Sequence, residues 1–141
     1  MKNLLLITVL SLCTASSFAQ QPNSEKVKSN IDMVKVLTEK QVIHHVFFYL
    51  KNPHSKEDIL KLKEGLKTLE AIGEVEKLII GEPASTLKRD VVVTDWQVSE
   101  IMYFKNIAAQ DAYQLHPTHK LFVDNYSNLW EKVLVYDMLV D

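Results

Sequence analysis

The chain has 141 residues, 47% of them apolar and 24% charged, which is one domain's worth of ordinary globular sequence and excludes disorder as its main state. Three Gly and four Pro exclude collagen-like and linker-dominated chains, and one Cys excludes a disulfide scaffold or a Cys-rich zinc module. Sixteen Lys and Arg against eighteen Asp and Glu give a net charge of −2 with no basic run, so binding to nucleic acid through phosphate neutralisation is not expected.

Lys2 and the ten-residue apolar run Leu4–Cys13 precede a small-x-small site at Ser17-Phe18-Ala19. The run is too short for a membrane-spanning helix, which needs about 20 residues, so residues 1–19 read as an export signal. The protein is then expected outside the cytoplasm, periplasmic or secreted, without stable membrane insertion. A lipid on Cys13 is disfavoured because Leu12, where a small residue is needed, is large. Cleavage after Ala19 leaves no thiol, so packing alone must hold the fold. Residues 20–40 are polar and mixed, and read as an exposed tether to a domain over 41–141.

Val42–Leu50 (VIHHVFFYL) predicts a first strand, ended by Asn52-Pro53. Both of its faces are largely apolar, so both need cover. Ser55–Ile72 predicts a helix: Ser55 and Asp58 form a capping start, and Ile59, Leu62, Leu66, Leu69 and Ile72 make one apolar stripe. Val75–Ile80 predicts a second strand. Ala84–Asp95 follows as a polar loop, and Trp96–Phe104 predicts a third strand. Asn106 is placed to cap a helix over Ile107–Leu115. Pro117 suits the first turn of another, whose stripe is His119, Phe122, Val123, Tyr126 and Trp130. Lys132–Val140 is the last strand. The order makes an α+β domain, a four-stranded sheet with helices on one side. Its other apolar face would be bare, and an identical sheet in a twofold homodimer is the simplest cover.

Three places hold candidate chemistry. His44 shares a strand face with Val46, Phe48 and Leu50, where a histidine bonded to a backbone carbonyl is the plain alternative. Glu100 lies between Val98 and Met102 on a face with Phe104, where burial would raise its pKa; a wet strand end is the alternative. Tyr113, His116 and His119 cluster around Pro117, a corner that can aim a phenol and two imidazoles inward as base and orienting donor, or merely cap and pack. His116 and His119, with His44, also offer a metal reading. Pro117 breaks the helix between the two and no carboxylate has ligand spacing beside them, so no metal and no cofactor is expected. Phosphate loops, nucleophile elbows, HExxH and CxxC are missing.

His44–Lys51, the helix after it, Ser99–Phe104, Asp111-Ala112-Tyr113-x-x-His116-Pro117-x-His119 and Trp130–Asp137 together resemble the stress-responsive A/B barrel (Dabb) family, over His44 to Asp137. The resemblance implies a ferredoxin-like unit whose sheets pair into a dimeric barrel. One branch consists of plant polyketide cyclases, whose Tyr and second His act in an aldol-type ring closure. Those positions match Tyr113 and His119, and that branch's first-strand His matches His44. Its further His on strand three falls at Val98, so the site is incomplete by that pattern.

Two functions follow as expectations. A binding module would hold a small, partly apolar ligand in a cavity of several hundred cubic ångström, with His44, Tyr113 and His119 as polar anchors, Glu100 and His116 as further contacts, and Phe48, Met102, Phe104, Phe122 and Tyr126 as its wall. A cofactor-independent cyclase- or lyase-like enzyme would use His119 to take a proton α to a carbonyl and Tyr113 to support the enolate oxygen.

Overall fold

The computed structural model describes residues 24–141; the expected export signal, its cleavage site and Cys13 lie outside the described residues. Helix α1 spans Ser24–Glu39 and strand β1 Val42–Leu50. Helix α2, Lys56–Lys67, runs on into a 3-10 turn at Thr68–Ala71. Strands β2 (Val75–Gly81) and β3 (Val98–Phe104) follow, then helices α3 (Ile107–Leu115) and α4 (Pro117–Tyr126). A 3-10 turn over Ser127–Leu129 leads into β4, Trp130–Leu139. The stretch read as a tether is therefore helical over most of its length, with residues 25–36 exposed.

The strands form one antiparallel sheet in the order β2-β3-β1-β4, with β1 central. Every even residue of β1 is buried and every odd one half-buried, because successive side chains leave a strand on opposite faces. The even face meets α2, α3 and α4. Val42, Val46, Phe48 and Leu50 pack there with Val98, Met102 and Phe104 of β3 and with Leu62, Leu66, Leu69 and Ile72 of the α2 segment. The odd face carries Phe47 and Tyr49 beside Leu134 and Tyr136 and stays open, with Tyr136 59% exposed.

Local chemistry starts each helix as its residues predict. The Ser55 hydroxyl accepts from Asp58 N–H at 3.1 Å, and the Asn106 side chain accepts from Ala109 N–H at 2.9 Å. Gly65 in the middle of α2 weakens the helix on its own, yet a Cβ there would stand 2.7 Å from the Tyr126 ring of α4. That close approach seats α4 on α2.

Trp130 corrects the helical stripe. It opens β4 opposite Leu50 at a register shift instead of ending α4. Its indole still reaches the aromatic layer, 5.1 Å from Phe48 and 5.8 Å from Phe122. The reason is geometric: Ser127 ends α4, and the following turn carries the chain back to the sheet.

Candidate functional site

The register of β1 sets the site. His44 lies opposite Met102 on one side and Asp137 on the other, and Val46 lies opposite Glu100 and Val135. All of these side chains point to the helix face. His44 and Asp137 are direct cross-strand neighbours, and Glu100 is diagonal to His44, within reach of long side chains.

His44 is 4% exposed, and its Nδ1 donates to Asp137 Oδ1 at 2.6 Å. A carboxylate only accepts, so this bond fixes a proton on Nδ1. His119, near the start of α4, donates Nδ1–H to the Gln114 carbonyl at 3.2 Å, which fixes a proton on the same ring nitrogen. Burial lowers the His119 pKa from its ordinary value, against the raising effect of the Gln114 bond, and the charge of His44 lowers it further. His119 is therefore neutral at pH 7. Tyr113 of α3 is 1% exposed and packs between the two imidazoles, 6.0 Å from His44 and 4.6 Å from His119 between ring centres. Burial, and then the nearby Glu100 charge, push its phenol up, so it stays protonated.

Glu100 is 3% exposed, and its Oε2 is buried without a hydrogen-bond partner. Loss of hydration disfavours the carboxylate and lifts its pKa to about 8. The side chain is thus a neutral carboxylic acid at pH 7. Of the two readings of this residue, the buried one holds.

His44, Glu100 and His119 line one cavity of about 130 Å³ with Val46, Phe48, Phe122, Val123, Trp130, Val133, Val135 and Gln114. The cavity is smaller than the several hundred cubic ångström expected, and Tyr113, expected beside His119 in its wall, is not among its lining residues because it is packed beneath the two imidazoles in the core. Met102 and Phe104, expected in its wall, are instead fully buried core, and Phe104 backs Tyr113 at 5.0 Å. Tyr126 is also displaced from the wall. It stacks on Phe122 at 5.5 Å and covers Gly65. His116 turns to local work, its Nδ1 accepting from Thr118 N–H at 3.1 Å as the cap of α4. Among the described residues no group of three His, Cys, Asp or Glu side chains is placed to hold a metal ion.

Asp137 and Gln114 were not expected at the site, and Trp130, expected on the helical stripe, joins the cavity from β4. Asp137 had a faint signal: it is an acid in the apolar run Val133–Met138 and shares strand parity with Val133 and Val135. Its partner becomes visible only through the β1–β4 register. A larger groove of about 590 Å³ lies on the open sheet face between Phe47, Tyr49, Leu134 and Tyr136 and the β2–β3 loop at Val91 and Val93. Among the described residues no helix is long and apolar enough to cross a membrane.

The model of the stress responsive A/B barrel domain, Dabb, matches residues 42–140. The chain belongs to this family. No curated protein matches it in sequence. Among solved structures, a Dabb family protein with a ferredoxin-like fold from Mesorhizobium loti is 26% identical, with a TM-score of 0.58, over 72% of this chain and 98% of that one. The hydroxynitrile lyase of Passiflora edulis shares the fold at 17% identity and a TM-score of 0.62, over 73% and 95%. A dimeric ferredoxin-like protein of unknown function from Thermobifida fusca shares it at 13% and 0.59, over 74% and 94%. The Dabb domain is thus a ferredoxin-like α+β unit, and β1 through β4 account for nearly all of the matched segment.

Proposed function

We propose that this Dabb protein is an exported homodimer that binds a small, partly apolar molecule in the cavity between sheet and helices. One observation carries the binding reading: the buried, unpartnered Oε2 of Glu100 in a largely apolar and aromatic wall. A buried polar atom without a partner costs free energy, about 1–3 kcal/mol, and a ligand that supplies the partner recovers it. The volume, about 130 Å³, is a little below the roughly 150 Å³ of an apolar cavity that holds benzene, so the ligand places at most one ring or a short branched chain inside it. The dimer reading is supported by the open apolar face and by the dimers described for ferredoxin-like neighbours. Export rests on the first nineteen residues.

Native mass spectrometry of the protein from its own source tests all three parts together. The expected result is a subunit that begins at Gln20, a doubled mass, and an adduct of one small molecule per subunit. A full-length, monomeric, adduct-free species would overturn the proposal.

A second reading, a cofactor-independent enzyme of the cyclase or lyase kind, is favoured by the Asp137–His44 pair and the fixed tautomer of His119. In it, a C–H bond α to a carbonyl breaks and the proton moves to His119 Nε2. The electron pair moves onto the carbonyl oxygen; Tyr113, expected to support that oxygen, packs against His119 and does not line the cavity, so its part is to hold the imidazole in place. His119→Gln separates the readings. A binder should lose at most roughly tenfold in affinity for its co-purified ligand, the value of one hydrogen bond, whereas an enzyme should lose turnover of that ligand by about 100-fold or more.

A further inference from the structure

Glu100 does more than add polarity to the cavity. The two imidazoles already give their Nδ1 protons to Asp137 and to the Gln114 carbonyl. Glu100 is the carboxyl among the residues of this wall, and its Oε2 is buried without a partner. We propose that Glu100 is the ligand-reading group of this cavity, a neutral carboxylic acid that donates its proton to a ligand oxygen, so that the ligand class is a small carbonyl compound or the oxyanion formed from one, and not an amine. This rests on the binding reading above and names its substrate class.

The surroundings support a neutral Glu100. β1 brings His44, whose charge partner is Asp137 of β4; α3 brings Tyr113; α4 brings His119. β2 and β1 place Ile80 and Val46 directly opposite Glu100, and α2 turns Leu62 and Leu66 into the core. No lysine or arginine is among these neighbours to hold a carboxylate, in keeping with a pKa near 8. A carboxylic acid kept neutral by an apolar site, beside a tyrosine, is a known way to stabilise an enolate oxygen.

Three one-ring probes test the proposal by calorimetry on the full homodimer: 4-nitrophenol, whose anion also reports by its colour, benzylamine and toluene. Wild-type protein is compared with Glu100→Val and Glu100→Gln. Both variants remove a buried unpaired acid and should fold. Below pH 8, wild type should bind nitrophenolate at least ~10-fold more tightly than Glu100→Val, with Glu100→Gln between them, because a charge-assisted hydrogen bond is lost. The preference should fade as the pH rises through about 8 and Glu100 ionises. Equal nitrophenolate binding by wild type and Glu100→Val, with toluene bound by both, would overturn the role of Glu100 and leave the cavity reading standing. Tighter benzylamine binding by wild type than by Glu100→Val would also overturn it, since that requires a carboxylate. If none of the three probes binds, the cavity reading falls as well.

Discussion

Glu100→Gln should stabilise the protein above pH 8 by about 3–5 kcal/mol and leave it nearly unchanged below pH 4.5. The sign follows from where the proton sits. The folded carboxyl has its pKa raised to about 8 from the ordinary 4.5, so it binds its proton more tightly in the fold than in the unfolded chain. Below 4.5 both states are protonated and the fold bears no penalty. Between 4.5 and 8 the unfolded chain ionises while the fold does not, so stability falls steadily as the pH rises. Above 8 both states are ionised and the loss is complete. An amide of the same shape has no proton to lose. Urea unfolding of wild type and variant across this window should give two curves that coincide in acid and part with a slope of about 1.4 kcal/mol per pH unit. Parallel curves would mean that Glu100 is hydrated and ionised in the fold.

Phe47→Asp should convert the homodimer proposed above, paired through its open sheet face, to monomers at micromolar concentration, read by light scattering. Phe47 occupies the centre of the open face, 5.1 Å from Trp96 and 6.0 Å from Tyr136 between ring centres. In a twofold dimer each substitution counts twice. Losing a buried aromatic and burying an unpaired carboxylate at two symmetric places costs well over 4 kcal/mol, a weakening of roughly 1,000-fold or more. The monomer's own core lies on the opposite face, so its circular dichroism should persist. A variant that remains dimeric would place the contact elsewhere, with the exposed apolar side chains of α1 as the next surface to test.

Much of the molecule was legible in the chain because local rules decide it. Alternation along Val42–Leu50, the Ser55 and Asn106 caps and Pro117 at a helix start fix where elements begin and which face they bury, and tertiary contacts did not override them. His44, Glu100 and His119 stood out because each interrupts an apolar pattern, and the fold brings all three to one cavity. The α1 segment was not readable as a helix, since its apolar residues follow neither the helical nor the strand period clearly and it packs little against the rest.

The residues by themselves determined the element order, the α+β class, the two-faced central strand and the out-of-place acid and imidazoles, since each depends only on spacing along one segment. Only the tertiary structure decided that Asp137 pairs with His44, that Phe104, Met102 and Tyr126 fill space beside the cavity instead of lining it, and that Glu100 is left without a partner. Those facts depend on strand register and on helix seating at Gly65. Both are set by contacts between segments far apart in the chain, which no local pattern encodes.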